Sequence, residues 1–305
     1  MTIKVANAPV SYGVFEMTVG RRPNLPDAGE VLTAVAEAGY EGIDLGPLGF
    51  LGRGQELRDR LAHFGLALAG GYVAMRFTDP EGFRDDLGPL EETLDVFEAV
   101  GSAQEGWLPR PTLADAGSPE RAANPGRGRD LHEIGLDGEG WARLADGVQE
   151  AAARCRKRGF QPTFHHHACS YVEAPHEIER LLELTDVGLC LDTGHLLLAG
   201  GDPVAALAEW AGRIDHLQVK DARLAVLEEV VREQAGMEAV WERGAFCELG
   251  TGDLDVEGFL AGVEGMGFSG WMVVEQDRIP APDEPIERAA QAQHRNRAFL
   301  AARGF

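Results

Sequence analysis

Short apolar runs alternate with longer amphipathic stretches along almost the whole chain. Ile3–Val10 reads as a strand and is followed by helical spacing over Asp27–Ala38. Gly42–Leu45 and Leu66–Val73 read as strands, each leading into a helix, at Gln55–Phe64 and Phe83–Val100. A weak strand is expected near Trp107–Leu113. Gly138–Arg158 then has helical spacing, with Trp141, Leu144, Ala145, Val148 and Ala152 on one face. Strand Pro162–His166 leads to helix Pro175–Leu184, where proline suits the first turn. Val187–Leu191 leads to helix Pro203–Trp210, and Ile214–Val219 is a further strand. Leu254–Glu264 is helical, Trp271–Val274 a strand and Glu284–Ala302 a closing helix. Eight such strand–helix units predict an α/β chain folded as a single-domain (β/α)8 barrel over residues 1–305. No Gly-x-Gly-x-x-Gly opens a helix, which disfavours an open dinucleotide-binding sheet.

Two stretches fall outside the alternation. Residues 116–135, with Pro119, Pro125, Gly126 and Gly128 beside Arg121, Arg127, Arg129 and His132, read as a long loop. Residues 222–241 read as an extra helical insertion after the seventh strand. Either is placed to cover a substrate; oligomer contact or plain surface is the alternative.

Composition narrows the function. The 28 basic residues against 50 acidic ones leave a net charge of −22, which opposes nucleic acid and anionic lipid as partners. No apolar run of about eighteen residues appears, and the N-terminus lacks the basic start and apolar stretch of a signal peptide. Cys155, Cys169, Cys190 and Cys247 stand far apart, so neither a zinc ribbon nor a disulfide framework is indicated, and a reducing cytoplasmic setting is expected.

The polar positions that break the apolar runs carry the chemistry. His165-His166-His167 follows an expected strand, with Glu173 shortly after. Asp192-Thr193-Gly194-His195, His216 to Asp221 and Glu275-Gln276-Asp277 follow three more. In a barrel such strand ends converge on one face. Imidazoles and carboxylates packed this densely are costly to desolvate without a positive partner, and a divalent metal is the simplest one. Asp192 is also a natural helix cap, although Asp202-Pro203 is a better one, and ligation is the favoured role. His216 and Gln218 share one side of their strand, and Lys220 continues it.

These residues resemble the xylose isomerase-like barrel superfamily of sugar phosphate isomerases and epimerases, and within it the inosose dehydratase branch. The likeness rests on Ala8-Pro9-Val10-Ser11-Tyr12-Gly13, Gly39 to Pro47, the triple histidine with Glu173, Asp192 to Leu196 and Ala199 to Pro203. Lys220-Asp221, Gly250 to Asp255 and Val274-Glu275 complete it. It implies one divalent metal (manganese, cobalt or magnesium, with zinc as a crystal substitute) held from the fifth to eighth barrel strands. By position Asp192, Gln218 and Glu275 take three places. Most relatives have histidine at Gln218, while the hydroxypyruvate isomerase branch has glutamine there. For the strand-five place Glu173 is favoured on charge balance, with His165 as competitor. Cys169-Ser170 replaces the Gly-Thr pair of the dehydratase branch.

The expected chemistry is proton abstraction beside a carbonyl of a polyol or keto-sugar, with His167 and His195 as base and acid and Lys220 orienting a hydroxyl. His165, His216 and Glu16 are the substrate-binding candidates, and a homodimer is the candidate assembly. Dehydration is the leading outcome and isomerisation or epimerisation the alternative. A metal-dependent hydrolase of the same barrel class and a non-catalytic sugar-binding barrel are the further readings.

Overall fold

The computed structural model describes residues 2–101, 104 and 106–305. In chain order its strands are β1 (Ile3–Asn7), β2 (Gly42–Asp44), β3 (Ala67–Met75), β4 (Arg110–Asp115), β5 (Thr163–His165), β6 (Gly188–Asp192) and β7 (Ile214–Val219). Two short strands, β8 (Asp221–Ala222) and β9 (Phe246–Cys247), precede β10 (Gly270–Val274). Strands β1 to β7 and β10 close into one parallel barrel, with β10 between β7 and β1. The expected single-domain (β/α)8 architecture is the one observed.

Local chemistry sets the boundaries. β1 ends at Asn7, three residues before the apolar run does, because Pro9 starts a 3-10 turn through Tyr12. Helix Ala28–Ala38 begins with Asp27 and Glu30 in a reciprocal capping box and ends at Gly39 in the left-handed region, φ 86°. Helix Gly138–Lys157 is capped by Asp137 and carries Arg154, Arg156 and Lys157 in its last turn, favourable for its dipole. β4 starts at Arg110 rather than Trp107 and runs on to Asp115, which brings that carboxylate to the strand end.

The two irregular stretches are ordered and meet over the mouth of the barrel. Residues 116–135 contain a short helix, Pro119–Ala123, capped by Ser118. Residues 222–241 include helix Leu224–Glu233 and most of helix Gly236–Glu242, with Gln234 at φ 55° between them and Gly236 at φ 75° opening the second. The pair is enclosed between β8 and β9, which join antiparallel. A Cβ on Gly236 would lie 3.2 Å from the Ala122 carbonyl, so the insertion abuts the short helix. Among the described residues no helix is long and apolar enough to cross a membrane, and the four cysteines are free.

Candidate metal and acid–base centre

The C-terminal strand ends and the loops above them enclose a cavity of about 540 Å3. His165, His167, Gln218, Lys220, Glu275 and Glu16 line it, as do Asp44, Tyr72, Asp115 and Asp277. Asp192 and His195 stand one layer behind, fully buried.

Lys220 is the hub. Its ammonium lies 2.7 Å from Glu275 Oε2, 2.8 and 2.9 Å from the two Asp277 oxygens, and 3.2 Å from Asp192 Oδ2. It also lies 3.2 Å from His195 Nε2. Burial opposes its charge, but Asp192, Asp277 and Glu275 outweigh that and hold its pKa well above the ordinary lysine value. The carboxylates remain short of positive charge. Burial pushes Asp192 up to about 6, Asp44 to about 7 and Glu275 to about 8, with Lys220 opposing each shift.

Asp192 does two jobs. Its Oδ1 caps helix Thr193–Leu198 by accepting from the His195 backbone N–H at 2.8 Å. Its Oδ2 faces the cluster, 3.7 Å from His165 Nε2, and makes no hydrogen bond beyond the ionic contact to Lys220. Gln218 Nε2 donates to Glu275 Oε1 at 3.3 Å, which leaves Gln218 Oε1 unpaired. Both ring nitrogens of His165 are buried and unpaired as well. Buried polar atoms are rarely left so. An imidazole nitrogen, an amide oxygen and carboxylate oxygens are donor types that suit a divalent cation, and Lys220 Nζ lies between the carboxylate oxygens of Asp192 and Glu275. Ligand atoms of His165, Asp192 and His195 lie within 4.8 Å of one another, as do those of His167, His195 and Asp277. The chemistry of the His165 and Asp192 atoms fits a metal site.

His167 has one ring nitrogen committed to the backbone. Its Nδ1 lies 2.6 Å from the Ala168 carbonyl, which can only accept, so that nitrogen carries the proton and Nε2 keeps its lone pair. Burial lowers its pKa to about 4, so the ring is neutral at pH 7. His195 stacks beside it, ring centroids 3.7 Å apart, and burial lowers its pKa well below the ordinary value. His195, expected as base or acid, stands behind the cavity wall, where its Nε2 accepts from the Lys220 ammonium.

Two expected site residues lie elsewhere. Glu173, favoured as the strand-five ligand, is not at the cluster. Its Oε1 accepts from the backbone N–H groups of Gly126 and Cys169 at 2.9 and 2.8 Å. Its Oε2 accepts from Gly128 N–H at 2.9 Å and lies 3.5 Å from Arg121 Nη1. Arg121, fully buried, also pairs with Glu177 and donates to the Ile134 carbonyl. Glu173 therefore braces the loop over the barrel, and His165 occupies the strand-five position. His216, expected to touch substrate, faces inward one layer below Gln218. It does not reach the cavity, and burial, aided by Arg110, lowers its pKa to about 3.

Sequence reasoning assigned no role to Asp44, Tyr72, Asp115 or Asp277, although Asp44 and Asp115 end strands and Asp277 lies in a cluster already singled out. Arg121, read as a loop arginine, gave no signal of its buried role.

Residues 32–297 match the family model of the xylose isomerase-like TIM barrel. The chain belongs to that family. It is 32% identical over 272 residues to an inosose dehydratase of Geobacillus kaustophilus, covering 87% of this chain and 84% of the relative. It is 30% identical to the rhizopine catabolism protein MocC of Rhizobium meliloti, covering 100% of this chain and 91% of the relative. The solved structure of the IolI protein with a bound zinc atom shares the fold, with TM-score 0.70 at 14% identity, covering 99% of both chains.

Proposed function

We propose that this chain is a metal-dependent dehydratase of a keto-polyol of the inosose type. One observation carries the reading: the neutral His167, with Nε2 free, faces the same cavity as the Lys220 ammonium and the unpaired acceptors of His165 and Gln218. The likeness to an inosose dehydratase over most of both chains supports this substrate class.

When bound by His165, Asp192, Gln218 and Glu275, a divalent cation such as manganese, cobalt or magnesium supplies Lewis-acid stabilisation to the oxyanion that forms on proton loss. The protein supplies the rest. His167 Nε2 takes the proton from the carbon beside the carbonyl, and the C–H electron pair becomes a carbon–carbon double bond. The carbon–oxygen bond to the neighbouring hydroxyl breaks, and the Lys220 ammonium gives that oxygen a proton so that it leaves as water. The carboxylates around Lys220 and the ring of His195 hold the ammonium in place. The partner is thus a small polyol, and no nucleic acid or membrane is involved.

The test is incubation of manganese-loaded protein with 2-keto-inositol in heavy water. A rising enone absorbance with loss of one water per turnover supports dehydration. Deuterium uptake without water loss would make the enzyme an epimerase or isomerase. No exchange and no elimination across a panel of keto-inositols and keto-sugars would end the proposal.

A further inference from the structure

The Lys220 cluster occupies one side of the cavity. Strand β2, which ends at Asp44, stands opposite β6 in the closed barrel, with three strands between them in either direction. Along this far arc the lining is small or apolar, as at Ala8, Pro9, Gly46 and Ala74. Asp44 interrupts it. The residue lines the cavity at 4% exposure, and its Oδ1 has no hydrogen-bond partner among the described residues. Lys220 is the charge that eases its burial, but the close contacts of that ammonium go to Asp192, Glu275 and Asp277.

The backbone makes room for this carboxylate. Asp44 pairs with Gly70 on β3, so the two positions share a face of the sheet, and a Cβ on Gly70 would lie 2.8 Å from Asp44 Oδ1. The other acids of the cavity are provided for. Asp115 is buried too, but its Oδ1 accepts from the Gly117 and Tyr171 N–H groups. Glu16 and Glu238 are exposed, where water solvates them. Asp44 also belongs to neither group of ligand atoms close enough together to share a metal ion. A buried carboxylate without a donor is costly, and a ligand that brings a donor removes that cost.

We propose that Asp44 is a substrate-binding residue whose carboxylate accepts a hydrogen bond from a free ring hydroxyl, on the side of the polyol turned away from Lys220 and His167. That hydroxyl has to be unsubstituted, because an ether or ester oxygen carries no hydrogen to donate. A phosphate there would set a second negative charge against the first. The substrate class rests on the keto-polyol reading of the site; the Asp44 contact and its demand for a free hydroxyl are the addition.

Calorimetric titration of the manganese-loaded protein with scyllo-inositol, which lacks the reactive carbonyl, reads the contact without turnover. Asp44→Ala should weaken binding at least about tenfold, the lower end for a hydrogen bond to a charged group. Asp44→Asn keeps one acceptor of the same shape but not the charge, and its affinity should fall between those of Asp44→Ala and wild type. In both variants the metal-to-chain ratio by mass spectrometry should match wild type. The Tm of Asp44→Asn should stay level or rise, because a buried charge without a partner has been removed. Wild-type affinity in both variants would overturn the assignment. So would loss of metal, which would make Asp44 a ligand, or a fall in the Tm of Asp44→Asn, which would make it a structural group. Wild-type protein that binds no scyllo-inositol would overturn the keto-polyol reading and this contact with it, a failure told apart from the others because it precedes any substitution.

Discussion

Replacing Glu173 with glutamine separates a metal ligand from a structural brace. The side chain is fully buried and both oxygens are engaged, Oε1 by the N–H groups of Gly126 and Cys169, Oε2 by Gly128 N–H and Arg121. Burial raises its pKa, while those three backbone donors and the guanidinium oppose the shift. Glutamine has one acceptor oxygen. Whichever way the amide turns, its NH2 faces two donors that then lack an acceptor. Each buried donor left unpaired costs about 1–3 kcal/mol. Arg121 keeps its pair with Glu177, so the loss is about 2–4 kcal/mol, below the cost of stranding a whole buried ion. For a chain of 305 residues about 2 °C per kcal/mol applies, and Tm should fall by about 4–8 °C. Thermal unfolding by circular dichroism reads this, and mass spectrometry of dialysed, manganese-loaded protein reads the metal. The expected result is a lower Tm with the metal-to-chain ratio of the wild type. Loss of metal at unchanged Tm would make Glu173 a ligand and refute the brace.

Glu275→Gln should weaken metal retention at least about tenfold while the circular dichroism spectrum persists; wild-type retention would remove Glu275 from the ligand set. His167→Ala should keep the metal but cut turnover by about a hundredfold or more, and a rate near wild type would exclude it as the base. Asp115 gives a pH test: burial raises it from the ordinary 3.8 to about 6, so the stability it contributes below 3.8 is lost as pH rises through 6. Its Oδ1 accepts from both Gly117 N–H and Tyr171 N–H, bonds an asparagine can keep. Asp115→Asn should therefore lose less stability than wild type over that window, by about 1.4 kcal/mol per pH unit at most; parallel unfolding curves across that pH range would contradict the shift.

The barrel was legible because each buried strand is a short apolar run, and the site was legible where a polar residue interrupts such a run. Asp192, Gln218 and Glu275 each end or follow one, and the structure brings them together across three strands. Glu173 failed for the opposite reason. It lies eight residues past His165 in a loop whose path depends on Gly126 and Gly128, more than forty residues earlier in the chain. Gly117 shows how tight that fit is: it sits at φ +69°, and a Cβ there would lie 2.1 Å from the Cys169 carbonyl oxygen. No periodicity encodes such a contact. Asp192 was posed as either ligand or cap, yet a carboxylate has two oxygens, and the cap uses one of them.

Charge balance links the buried lysine to the proposed metal. Asp44, Asp192, Glu275 and Asp277 are all buried at the cluster, and Lys220 is the single cation among them. The neighbouring imidazoles of His165, His167 and His195 do not help, because burial lowers their pKa values and keeps them neutral at pH 7. An ammonium has three donors, fewer than the carboxylate oxygens it faces. Gln218 Oε1 and both His165 nitrogens make no hydrogen bond, and Asp192 Oδ2 has only its ionic contact with Lys220. A dication held by the unpaired atoms would leave Lys220 on Asp277 and His195, where its ammonium is fixed beside the cavity. In the proposed reaction the same buried carboxylates would therefore serve twice, Asp192 and Glu275 towards the metal and Asp277 towards the Lys220 ammonium that donates the proton.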